Sequence, residues 1–271
     1  MATIFSSLPI IDLSILAETS PGAPGEQDLR DLSQRLCDVF ASTGFAYLVN
    51  APLSFSHEQI FGLANAFFRI DETEKLKVAK RTFVGTNKNT YRGYFPTQPS
   101  QLDNLKEGFE VGPSTPPRQA GLARHQRFDL SEPNVWPPGF VKTLLHQDPT
   151  GGLEVLNADG QWISAPYVPG SIVVNIGDLM ARVSGGRFVA TMHRVRTNNA
   201  SVERPDGMGR FSMPFFFEPG EECVVRSVDG GESIVYGEYV RRKMNTWVEY
   251  MDVPGATLDA SVRNGVSVKA Y

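Results

Sequence analysis

The sequence predicts a mainly β chain with flanking helices, folded as a sandwich or barrel, and three observations carry that prediction. Short β-type runs separated by turns recur from Thr143 to Val225, the spacing of a sandwich or barrel. Apolar residues recur at helical spacing in the first third of the chain and again near its end. With 271 residues, 41% of them hydrophobic, the chain can bury a substantial core.

The elements follow in order. Leu8 to Leu13 reads as a short apolar strand, and the Pro- and Gly-containing stretch Ser20 to Gly25 as a loop. Leu29, Leu32, Leu36, Val39 and Phe40 then mark one face of a helix, with Gly44 where a helix-ending glycine is expected. Phe45 to Val49 reads as a strand. Ser56 followed by Gln59 fits a capping box, ahead of a helix whose apolar face is Ile60, Phe61, Ala64, Phe67 and Phe68. Asp71 to Lys80 continues as a short charged helix. Thr82 to Pro138, rich in Gly, Pro and polar residues, reads as loops over a barrel mouth. The strand candidates after it are Thr143 to Leu145, Gln161 to Ser164, Ser171 to Ile176, Val189 to Val195, Phe211 to Phe217 and Cys223 to Val225. Tyr236, Tyr239, Val240, Met244 and Trp247 predict a terminal helix.

Composition narrows the function classes. A formal charge of -4 supplies no broad basic face to neutralise phosphates, which disfavours nucleic-acid binding. No apolar run approaches the roughly 20 residues that cross a bilayer, and Met1 to Pro9 lacks the basic start and long apolar stretch of a signal peptide. A cytosolic location is the expectation. Cys37 and Cys223, far apart in sequence, read as two reduced, packed thiols.

The chemistry concentrates between Gly177 and Ser212. His193 lies in a strand-like run, and a neutral imidazole is a good ligand for a divalent first-row metal. Arg210 and Ser212 are two apart, so on a strand they share a face where a guanidinium fork and a hydroxyl together suit a carboxylate. A lone strand histidine is more often packed or surface-bound than a ligand; the combination with Arg210 and Ser212 shifts that weighting. His57, in the first turn of a helix, and His125, in a polar loop, read as solvated. Trp162 reads as a barrel-facing aromatic.

This segment resembles the C-terminal half of the isopenicillin N synthase-like Fe(II)/2-oxoglutarate-dependent dioxygenases. It has the Gly177-Asp178 strand end, the His193-Arg194-Val195 strand, the Arg210-x-Ser212 pair and a Phe-rich run ending at Pro219. The N-terminal half is similar too: Leu8 to Leu13, Gly44-Phe45 to Asn50, Phe67-Phe68 leading to Glu74-Lys75, Arg92-Gly93-Tyr94, and Glu107 to Gly112. The resemblance implies a double-stranded β-helix, or jelly-roll, core. It also implies Fe(II) held by two His and one carboxylate, 2-oxoglutarate as co-substrate, O2, and a small-molecule substrate. On that pattern His193 is the distal metal ligand, and Arg210 with Ser212 binds the far carboxylate of 2-oxoglutarate. Arg92 and Tyr94 align with a region near the substrate pocket in relatives, with plain loop packing as the equal alternative.

One part of the pattern is missing. In the family a His-x-Asp pair precedes the segment matched here by Thr143 to Asp148 and its glycine-rich continuation Gly151 to Val155. Here Trp136 to Phe140 resembles the start of an earlier helical region and runs almost directly into Thr143. An internal deletion, leaving the jelly roll incomplete, is the expectation. His146-Gln147-Asp148 itself spells His-x-Asp, and on a strand both side chains would share a face. Aligned by the glycine-rich continuation, however, His146 falls at a variable strand position and Asp148 opens a turn before Pro149. His146 and Asp148 are therefore substitute metal ligands at best. The expected organisation is an N-terminal helical and loop region over 1–138, a truncated oxygenase core over 143–225, and a C-terminal helix and tail over 226–271.

Overall fold

In the computed structural model the described residues are 3–17, 24–98, 106–112, 129–137, 150–196, 209–231 and 233–246. Two three-stranded sheets face each other across an apolar core. The first is built on β2 (Phe45–Val49), with β1 (Ile10–Asp12) parallel on one side and β7 (Ile172–Asn175) antiparallel on the other. The second has β5 (Leu153–Leu156) between β6 (Trp162–Ala165) and β8 (His193–Val195), all antiparallel. Residues from the first fifty positions thus share a sheet with the later β region.

Strand periodicity explains the layering, since successive side chains point to opposite faces. From β2, Phe45 and Tyr47 turn inward to Leu8, Leu153, Val155 and Ala165. Ala46 and Leu48 turn outward to Ile11, Val174 and the helix α1 (Glu26–Ser42), which buries Leu32 with Leu36 and Val39. That helix ends as expected. Gly44, at φ +71°, donates its N–H to the Val39 carbonyl, a left-handed cap that glycine adopts without steric cost.

The helix α2 (His57–Phe68) begins with the predicted capping box: Gln59 N–H donates to Ser56 Oγ, and Ser56 N–H to Gln59 Oε1. It buries Ile60 and Phe67. Several expectations need correction. The charged helix read to Lys80 stops early, as α3 (Glu72–Leu76), because the Asn87 side-chain amide takes the carbonyls of Leu76 and Ala79. Within the stretch read as loops, β3 (Gly93–Phe95) and β4 (Gly108–Glu110) form an antiparallel ribbon. The Gly177-Asp178 strand end instead caps a short helix, α4 (Asp178–Val183). Of Val189 to Val195 only β8 is strand, since Val189 N–H is taken by the Phe40 carbonyl and Thr191 Oγ1 donates to the Thr43 carbonyl.

The Phe211 to Phe217 strand does not form. Residues 213–220 have no regular structure, having no ladder partner among the described residues. The chain closes with the ribbon β9 (Val224–Val225) and β10 (Ile234–Val235), followed by the predicted helix α5 (Tyr236–Met244), which buries Tyr236, Val240 and Met244. Thr143 to Leu145 and Trp247 lie outside the described residues. No helix of the described residues is long and apolar enough to cross a membrane.

Candidate functional site

The second sheet positions the residues singled out by sequence. His193 pairs with Val155 at one end of the β5–β8 ladder, so its side chain takes the same face as that fully buried valine. Its ring meets the Phe45 ring edge-on at 5.2 Å between centroids, and Nδ1 lies 3.4 Å from the Thr191 carbonyl oxygen. His193 is half-buried at the margin of the core. Arg194, one residue on, turns to the opposite face, where it pairs with Glu154 at 2.7 Å and stacks over Trp162 at 4.0 Å. Trp162 is therefore an outer-face platform for a guanidinium, correcting the barrel-facing expectation.

Arg210 is tied to the same sheet at the other end of β5. Its Nε donates to the Gly151 carbonyl at 2.7 Å. Gly151 and Gly152 have φ of +72° and +87°, and a Cβ on Gly152 would lie 2.7 Å from the Arg196 carbonyl oxygen, so glycine there permits the close approach of the chain leaving β8. The anchor points of His193 and Arg210, Val155 and Gly151, are four residues apart along one chain, with the glycine bend between them. Phe211 is buried against Phe68, and Ser212 is exposed. His146 and Asp148, the substitute ligands, lie outside the described residues, as does His125.

Among the described residues no group of three His, Cys, Asp or Glu side chains is placed to hold a metal ion. His193 is the one matched ligand with a described position, and a facial three-donor iron site does not fit the described residues.

Other expectations were altered by packing. His57 is half-buried between the rings of Phe61 and Tyr167, with centroids 6.1 and 6.2 Å away, rather than solvated. Cys37 and Cys223 are free thiols as expected, but Cys223 is exposed rather than packed. Tyr94 is buried in a cluster with Phe67, Val78 and Ala79, and its hydroxyl donates to Glu107 at 2.6 Å. Burial first, then Glu107, pushes the Tyr94 phenol up, so it stays a proton donor. Lys75 reaches the same Glu107 oxygen at 2.8 Å, and Lys80, 1% exposed, pairs with Glu110 at 2.6 Å. The motifs at Lys75, Tyr94 and Glu107 to Gly112 are thus the pins of one ribbon, which settles Tyr94 as packing.

Sequence reasoning missed Glu132. Its carboxylate accepts the backbone N–H groups of Thr90, Tyr91 and Arg92 and the Thr90 hydroxyl. No spacing or composition signal marks it, because its partners are main-chain atoms some 40 positions away.

Comparison with known proteins agrees with this architecture. Residues 8–139 match the non-haem dioxygenase in morphine synthesis N-terminal family model, and residues 138–219 match that of the 2OG-Fe(II) oxygenase superfamily. A probable iron/ascorbate oxidoreductase of Dictyostelium discoideum is 42% identical over 94 residues, covering 35% of this chain and 24% of the relative. The chain thus aligns with only about a quarter of that relative's length. A homoarginine-6-hydroxylase of Oryza sativa subsp. japonica is 24% identical over 336 residues, 91% of this chain and 99% of the relative. Because this chain has only 271 residues, several tens of those aligned positions have no residue here. Among solved structures, the full-length Neurospora crassa protein in complex with alpha-KG and 5-formyluracil superposes with a TM-score of 0.67 at 21% identity, covering 91% of this chain and 99% of that one. That likeness shows the jelly-roll fold. With two adjoining family models spanning 8–219, the chain belongs to the 2OG-Fe(II) oxygenase superfamily.

Proposed function

We propose that this chain is, by descent, an Fe(II)- and 2-oxoglutarate-dependent oxygenase for a small molecule, with its own activity impaired by loss of the segment carrying two metal ligands. One observation carries the reading: His193 is fixed on β8, whereas the described residues form no three-donor site. Two further findings support an internal deletion: the family models meet at residues 138–139, and the rice relative has residues for which this chain has no counterpart. In this reading Arg210, oriented through Nε on Gly151, and Ser212 take the far carboxylate of 2-oxoglutarate. Iron and the oxoacid supply the oxidising chemistry of the family. Hydroxylation, desaturation and ring closure are the reaction types within the proposal. A cytosolic location belongs to it too, supported by two cysteines that are free thiols.

The test combines calorimetry with Fe(II) and with 2-oxoglutarate and an assay for succinate. The chain as it stands should bind Fe(II) weakly and release little succinate, and reinstating the missing segment should restore both. A restored chain that does neither would sink the proposal. Tight Fe(II) binding abolished by His146→Ala or Asp148→Ala would instead reveal a rebuilt metal site and refute the impairment.

A second reading, a non-catalytic remnant that binds a dicarboxylate or a protein partner, is favoured by Arg210 keeping an anchor on the Gly151 carbonyl while the described residues form no three-donor metal site. Metal-independent 2-oxoglutarate binding lost in Arg210→Ala would establish it.

A further inference from the structure

The last turn of α2 carries two adjacent phenylalanines that meet different parts of the fold. Neighbouring side chains on a helix point about 100° apart. Phe67 turns to the β3–β4 ribbon, its ring centroid 4.7 Å from Phe109 and 6.0 Å from Tyr94. Phe68 reaches Phe211 instead, with centroids 5.8 Å apart and planes tilted by 44°, inside the range of favourable ring pairs. Phe211 is the residue between Arg210 and Ser212. Among residues 209–220, all of them described, it alone is buried, at 8% exposure. Arg210 is half-buried and Ser212 exposed, the alternation of an extended chain whose middle side chain points inward and whose flanking ones share the other face.

We propose that Phe68 is a positioning residue for this segment: by seating the Phe211 ring, it sets where the Arg210 guanidinium and the Ser212 hydroxyl stand. The bond from Arg210 Nε to the Gly151 carbonyl fixes one atom of the guanidinium. A second point on the backbone is needed to fix its plane and to keep Ser212 beside it, and residues 213–220, without regular structure, do not supply one. The Phe211 seat does.

The seat is itself tied down. Lys75, 7% exposed, donates from Nζ to the Phe68 carbonyl at 3.2 Å and pairs with Glu107 at 2.8 Å, so the end of α2 is fastened to the ribbon. Phe67, packed on Phe109, fastens it a second time. The Phe67-Phe68, Lys75 and Glu107 motifs of the sequence thereby converge on the placement of Arg210. The consequence for binding rests on the proposed role of Arg210 and Ser212 as a carboxylate pair. A guanidinium fork and a hydroxyl meet on one carboxylate only when both are held to within about 0.5 Å.

Two readouts on the full chain separate the anchor from that role. One is the NMR signal of Arg210 Nε–H, identified by its loss in Arg210→Lys, with its rate of exchange against water. The other is calorimetry with 2-oxoglutarate in the absence of metal. Phe68→Ala should speed the exchange roughly tenfold and weaken 2-oxoglutarate binding about tenfold. Phe68→Leu, which keeps an apolar side chain at the seat, should fall between, and it carries the test if the alanine variant does not fold. Ile60→Val, at a buried position about two turns earlier on α2, should lower Tm and leave both readouts unchanged. An Arg210 signal indifferent to the Phe68 substitutions, an equal response to Ile60→Val, or 2-oxoglutarate binding as tight in the Phe68 variants as in the parent would each overturn the proposal. A parent that binds no 2-oxoglutarate, while its Arg210 signal still follows Phe68, would remove the carboxylate role and uphold the anchor.

Discussion

Replacing Glu132 with alanine should cost several kcal/mol of stability, because its carboxylate accepts the backbone N–H groups of three consecutive residues, Thr90, Tyr91 and Arg92.

 The perturbation removes an acceptor that holds the turn ahead of β3: the N–H groups of Thr90, Tyr91 and Arg92 lie 2.7, 2.7 and 2.5 Å from its oxygens, and Thr90 Oγ1 lies 2.9 Å away. A hydrogen bond to a charged acceptor is worth about 1.5–3 kcal/mol, and a buried donor left unsatisfied costs about 1–3 kcal/mol. Four such bonds sealed from water would reach roughly 6–12 kcal/mol. Glu132 is half-buried, so water can take over part of the work on its open side. A loss of about 3–5 kcal/mol follows, which in a chain of this size lowers Tm by roughly 10 °C. Glu132→Gln keeps one carbonyl acceptor but loses the charge, and should fall between the variant and the parent. Urea unfolding followed by tryptophan fluorescence, with a thermal melt alongside, measures both. A loss below about 1 kcal/mol for Glu132→Ala would refute the reasoning, since it would mean that those amides are satisfied equally well by water.

Two further outcomes are expected. Gly44→Ala forces a side chain onto a residue at φ +71° and sets its Cβ 2.1 Å from the Val189 carbonyl oxygen, so it should destabilise by about 2–4 kcal/mol. Because Thr191 is tethered to Thr43, the His193 ring should shift as well, which the imidazole NMR resonances would report; unchanged resonances and stability would contradict this geometry. The second outcome concerns acid. The Asn50 side-chain amide, then the Ser14 backbone N–H, holds the Asp12 carboxyl below its ordinary value of 3.8. A depressed folded-state pKa stabilises the fold above the unfolded value and loses that contribution as the pH falls through the folded one. Asn50→Ala should therefore lower Tm slightly at neutral pH and flatten its decline below about pH 4; parallel curves for variant and parent would dismiss the contact.

The sequence by itself determined the elements whose signals are local. A short apolar run marked β2 at Phe45–Val49, the Ser56 and Gln59 pair the start of α2, and Gly44 the end of α1, because a short apolar run, capping and left-handed backbone each depend on a few neighbouring residues. It also singled out His193 and Arg210 by residue type, without fixing what either side chain meets. Tertiary structure alone decided what those residues touch. Lys80 left its expected helix for a buried pair with Glu110, Tyr94 became core, and Glu132 captured amides about 40 positions away. The Phe215 to Phe217 run, β-like by composition, found no ladder among the described residues and stayed exposed. A strand needs a neighbour to satisfy its backbone groups, and whether a neighbour exists is a property of the whole chain rather than of the segment.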